Sequence, residues 1–100
     1  MTRETLYQDE DVHFLCDKLF EGRVVAMHLN ITPGAWSPAK FKRYRSIFTE
    51  IIVPSLKSQN YHEVYATPIE TDKKAQKLIK MFGLVTFGQN MGLTLMKREI

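Results

Sequence analysis

Four cations, Lys40, Lys42, Arg43 and Arg45, crowd the first two turns of a stretch that opens on Ser37 and Pro38 and reads as a helix. The start of a helix already carries the positive pole of the backbone dipole and N–H groups without an intrahelical partner, so cations there oppose helix stability and favour a nearby anion. The group reads as a phosphate site at a strand–turn–helix junction, where an open α/β sheet offers a crevice. A solvated basic face is the alternative reading. Other reactive types are sparse. His13, His28, His62 and Cys16 show none of the short paired spacings that bring metal ligands together, so no metal site is expected. Cys16, the only cysteine, excludes an internal disulfide. Set among Val12, Leu15, Leu19 and Phe20, it reads as a buried structural thiol. No serine, histidine and acid grouping points to a hydrolase, and no glycine-rich phosphate loop points to an ATPase.

The elements that must position the basic group follow from periodicity. Residues 23–31 form a nearly unbroken apolar run that reads as a strand covered on both faces, with His28 and Asn30 on one side together with Val24 and Ala26. Pro33 and Gly34 end it. Ser37 caps a long helix over 37–58, in which Phe41, Tyr44, Phe48, Ile51, Ile52 and Leu56 form the buried stripe and Pro54 is expected to kink or end the pattern. Ahead of the strand, residues 2–7 alternate as a short edge strand or frayed arm. Acidic residues at 9–11 then start a first helix, with Val12, Leu15, Cys16, Leu19 and Phe20 as its stripe up to Gly22. Beyond the long helix come a strand at 63–68, a helix capped by Thr71 or Asp72 and ended by Gly83, and two strands at 84–87 and 91–96 that turn around Gly88, Gln89 and Asn90. The expected order is β-α-β-α-β-α-β-β, an α/β domain whose mixed sheet is parallel at the crossovers and antiparallel at the closing hairpin.

At 100 residues, with 44% apolar and 25% charged, the chain has the composition of one globular domain spanning 1–100. Its apolar runs are too short for a membrane span, and Arg3, Glu4 and Asp9 argue against a signal peptide, so a soluble cytoplasmic protein is expected. A net charge of +3 is too small to favour a nucleic-acid partner.

In this order, the C-terminal half resembles the GNAT N-acetyltransferase superfamily. The family's last helix commonly reads Asn-x-x-Ala, an aliphatic residue, a Tyr and two charged residues before Gly-Phe. Asp72, Ala75, Leu78, Ile79, Lys80, Gly83 and Leu84 fall on that pattern. The strand, Pro-containing helix and second strand are also similar to small GNAT-like proteins of tailed bacteriophages, some of them virion-associated. The resemblance covers residues 23–99 and implies a minimal GNAT-like mixed sheet with the long central helix at 37–58. It further implies acetyl-CoA between two splayed parallel strands, its pyrophosphate on the start of that helix near Trp36, Ser37, Ala39, Lys40 and Arg43. Of the three positions of the family's phosphate motif, here Gly34, Ser37 and Ala39, only Ala39 matches. Pro38 removes a donor, and the family's acid Tyr falls on Ile79.

Acyl transfer would need a base for the amine and an acid for the thiolate, and His28 and Tyr65 are the residues chemically suited to those roles. Core packing is the alternative for both. The expected function is a GNAT-fold protein of phage type, in the host cytoplasm or the virion, that acts by binding a protein partner rather than by efficient acyl transfer. The alternatives are an active acetyl-CoA-dependent transferase acting on an amine acceptor and, less favoured, a nucleic-acid binder. An exposed sheet edge makes a homodimer a further expectation.

Overall fold

The computed structural model describes residues 2–19 and 23–100, the side chains of Thr2 and Leu19 excepted. Its elements are β1 (Thr2–Gln8), β2 (Val12–Leu19), β3 (Val24–Ile31), α1 (Pro38–Ile47), a π-helical turn (Phe48–Ile52), α2 (Val53–Ser58), β4 (Glu63–Ala66), α3 (Lys73–Met81), β5 (Val85–Asn90) and β6 (Leu93–Glu99). Among the described residues, six strands form one sheet in the order β1-β2-β3-β4-β6-β5, with β3 and β4 parallel and every other neighbouring pair antiparallel. The parallel crossover and the antiparallel closing hairpin are as the sequence predicts. The element order is β-β-β-α-β-α-β-β.

The difference lies at residues 12–19, where a strand replaces the predicted first helix. Val12, Phe14 and Cys16 are buried on one face while Leu15 and Asp17 take the other, a period of two that includes Phe14, which the helical stripe leaves out. Antiparallel pairing with β3 over the full length from Val12↔Ile31 to Leu19↔Val24 decides between the two periods. Asp9, read as a helix start, instead forms a turn: its Oδ1 accepts the N–H groups of Asp11 and Val12 at 2.8 and 3.0 Å. Phe20 and Gly22, the predicted end of that helix, lie outside the described residues.

Both crossovers run in the same direction across the sheet, so right-handedness puts α1 and α3 on one face. Val25, Val64 and Met96 from the sheet meet Tyr44, Phe48, Ile52 and Leu78 from the helices in a single core. Phe48 stacks on Phe82 at 4.8 Å between ring centroids, and Phe82 also contacts Phe14 at 5.8 Å. The opposite sheet face carries neither of these helices. Along β3, Val25 and Met27 are therefore buried, whereas Val24, Ala26 and His28 are only half-buried and Asn30 is exposed, not covered on both sides as its apolar run predicts. Burial pushes the Cys16 thiol up to about 11, so it stays protonated and unreactive near neutral pH.

Pro54 neither ends nor removes the long helix. The chain widens into a π-turn just before it, with the Val53 N–H bonded to the Phe48 carbonyl five residues back, and helix continues to Ser58. The extra residue rotates the stripe beyond it: Ile51 is 46% exposed and Val53 joins the core, while Ile47, three residues after Tyr44 on α1, is also buried. The last hairpin turns two residues later than predicted. Met91 and Gly92, with φ of 51° and 81°, make a two-residue turn of the kind that matches strand twist, and Gly88 sits at a bulge opposite Leu95 instead. Among the described residues, no helix is long and apolar enough to cross a membrane.

Candidate functional site

β3 and β4 stay paired over only three positions, Val24↔Glu63, Val25↔Val64 and Ala26↔Tyr65. β3 then continues to Ile31 bonded to β2, while the chain after β4 leans towards β6, where the Pro68 carbonyl accepts the Thr94 N–H at 2.8 Å. The parallel strands therefore diverge at their carboxyl ends. Between them opens a cleft of about 280 Å³, lined by apolar residues such as Met27, Leu78 and Ile79 and by the polar His28, Thr67 and Asp72. Trp36 also lines it, its ring edge-on to Phe41 at 5.3 Å.

The loop from β3 into α1 is tied down from both ends. Ala35 N–H donates to the Thr32 carbonyl at 3.0 Å, and the buried Tyr44 hydroxyl donates to the Ala35 carbonyl at 2.9 Å. Ser37 is the helix cap, its Oγ accepting the Lys40 N–H at 3.2 Å. The four cations beyond it divide. Lys40 Nζ lies 3.2 Å and Arg43 Nη1 3.3 Å from Asp11 Oδ2, and Arg43 also bonds Asp9, so two of the four face carboxylates of the β1–β2 turn. Lys42 and Arg45 line a separate shallow depression with Ser46, Thr49 and Glu50.

His28 lines the cleft with its ring two-fifths exposed, and it is part of a three-residue network on the open sheet face. Asp17 Oδ2 lies 2.8 Å from His28 Nε2, and both Asp17 oxygens accept from Arg3, whose Nε and Nη2 each donate at 2.9 Å. An ionised Asp17 places the imidazole proton on Nε2 and leaves the Nδ1 lone pair as the basic nitrogen. Arg3 first, then His28, hold the Asp17 carboxyl well below the usual carboxylate range. A depressed folded-state value means stability that is present above the unfolded carboxylate's value of about 3.9 and is lost as pH falls below it. Acid titration followed by circular dichroism is therefore expected to show a fall in melting temperature below about pH 4 that Asp17→Asn flattens. An unchanged acid slope in that variant would mean the network does not hold the sheet face together.

The sequence reading missed Asp17 and Arg3 because it set residue 17 on a helix. Their legible signal is opposite charge in strands that pair at Arg3↔Asp17. Tyr65, the predicted acid, does not line the cleft. It lies beside Ala26 with its ring against Phe87 at 5.8 Å, and burial, followed by Glu63, raises its hydroxyl above the usual value. Ile79 lines the cleft but has no proton to give.

No family model matches this chain, and no curated protein does. Solved structures do. A ribosomal-protein-alanine N-acetyltransferase from Brucella melitensis matches with a TM-score of 0.70 at 15% identity, over 95% of this chain and 67% of that one. A GNAT-family acetyltransferase from Streptococcus pneumoniae matches at 0.67 and 17%, over 89% and 57%. A protein from Salmonella typhimurium, solved with its cofactor acetyl-CoA, matches at 0.68 and 14%, over 89% and 57%. The fold is thus that of the GNAT acetyltransferases, and the chain spans little more than half the length of several of these structures, 54–57%.

A coenzyme A thioester would need room for its pantetheine arm and donors for its diphosphate. The splayed strands meet the first need, since among the described residues the β4-facing edge of β3 from Met27 to Ile31 has no strand partner and can bond the amides of an extended chain. At the helix head, part of the donor supply is already committed. Pro38 has no N–H, the Lys40 N–H is taken by Ser37, and Lys40 and Arg43 are paired with carboxylates.

Proposed function

We propose that this chain is a GNAT-fold domain that works by binding in the β3–β4 cleft rather than by efficient acyl transfer. The single observation that carries the reading is the divergence of the two parallel strands after Ala26 and Tyr65, which opens a cleft with a free strand edge. The helix head, where Pro38 has no N–H and Lys40 and Arg43 are ion-paired, and the apolar Ile79 at the cleft wall support binding over transfer. Following the sequence resemblance, the domain belongs with the small phage-type proteins of this fold, in the host cytoplasm or the virion, with a protein partner. The edge strands β1 and β5 offer the surface for a homodimer.

Titration calorimetry with acetyl-CoA at low and moderate salt, followed by an acetylation screen over free amines and amino-terminal peptides, tests the reading. The expected result is weak, salt-insensitive binding and no acetylated product. Turnover above the uncatalysed rate would overturn it.

One observation favours a second reading, an active N-acyltransferase: the 2.8 Å contact between Asp17 and His28, which fixes the ring of a cleft-lining base. In that case His28→Ala would lower the rate by about 10²–10⁴, the usual worth of a general base. Asp17→Asn would shift the pH profile while leaving binding intact. Equal rates in native and His28→Ala protein would exclude His28 as that base.

A further inference from the structure

The turn between β1 and β2 is built to present carboxylates. Asp9 Oδ1 takes two backbone N–H groups, and Tyr7 Oη donates to Asp9 Oδ2 at 2.9 Å. The turn is also bound to the end of β3, with Thr32 N–H on the Asp11 carbonyl at 2.9 Å and Thr32 Oγ1 on the Glu10 carbonyl at 3.0 Å. So held, Asp9 and Asp11 meet Arg43, and Asp11 meets Lys40, on the first two turns of α1, which begins two residues after the cleft-lining Trp36. The carboxylate side chains are only 20–21% exposed, against 41% for the two cations. These are the cations on which the sequence pattern predicts a phosphate.

We propose that Asp9 and Asp11 are a built-in counter-anion: they occupy the cationic head of α1 and make the cleft selective for extended, amide-bearing ligands that carry no phosphate. The physical reason is competition. A tethered carboxylate is present at high effective concentration, so a dianion arriving from solution has to displace it and also meets its repulsion. Pro38 and the Ser37 cap leave few backbone donors to offset that loss. The inference rests on the reading of the β3–β4 cleft as the binding site, and it changes what that site accepts.

The test is calorimetry with inorganic pyrophosphate, coenzyme A and pantetheine, on the native chain and on the D9N/D11N variant. Asn keeps the side-chain acceptor for the two turn N–H groups, so the turn persists while the charge is removed. Asp11→Asn alone is the milder companion, because the turn uses the backbone of Asp11 and not its carboxylate. Circular dichroism and melting establish that both variants are folded. The native chain is expected to bind coenzyme A and pantetheine within about threefold of each other, because the diphosphate adds no net contact. Native protein should show no measurable pyrophosphate binding, and D9N/D11N should gain about tenfold or more for pyrophosphate and for coenzyme A, the gain falling steeply with salt. Native binding of coenzyme A more than tenfold tighter than pantetheine would overturn the proposal, as would a folded variant that gains nothing. Pantetheine failing to bind either protein would defeat the cleft reading instead, and the pyrophosphate arm alone would then decide the counter-anion.

Discussion

Phe48→Ala is expected to cost about 3–5 kcal/mol, the usual loss for a large aromatic removed from a core that cannot close over the gap. Phe48 is fully buried, stacks within 14° of parallel on Phe82, and lies under the Arg98 guanidinium at 5.7 Å. Arg98 in turn donates to the Phe82 carbonyl at 2.8 Å, so the stack joins the long helix, the end of α3 and β6. Its position at the start of the π-turn adds to the effect, because that turn has no side-chain cap and is held by what it packs against. For a chain of this size each kcal/mol lowers the melting temperature by roughly 4–8 °C, so the variant should melt at least about 12 °C below the native protein. Urea unfolding measures the free energy directly. Phe48→Leu should lose much less, and a Phe48→Ala loss under about 1 kcal/mol would mean that the stack is not what couples the helices.

Tyr44→Phe is expected to cost about 1–3 kcal/mol, because it leaves the buried Ala35 carbonyl without the hydroxyl that bonds it at 2.9 Å. The ring and its packing are kept, so the loss belongs to the hydrogen bond. That bond fixes the loop carrying Trp36, the only tryptophan and a wall of the cleft, which makes its emission a reporter for the loop. The variant should unfold at lower urea and show a shifted native-state emission. Unchanged stability with unchanged emission would show that the loop is held by something else.

Local chemistry was enough to read several parts of this molecule from the chain. Pro33 and Gly34 end β3, Ser37 caps the long helix and Asp72 caps α3, each through a side chain or backbone preference that acts within a few residues. With β3, the long helix and β4 in place, handedness makes the parallel crossover follow. The tertiary structure decided the rest. Residues 12–19 carry apolar side chains at both two- and three-residue spacing, and only the free edge of β3 selects the strand. The helical stripe after Phe48 could not be placed from spacing alone, because the π-turn ahead of Pro54 shifts it by one residue. Charge was the least legible feature. A cation's partner is set by distance in space, so Lys40 and Arg43 look like a free anion site until the Asp9–Asp11 turn folds against them. Asp17 looks like a helix-surface acid until β1 brings Arg3 and β3 brings His28 to it. Most elements other than β2 were written locally, whereas the site depends on which strands become neighbours and where two of them part.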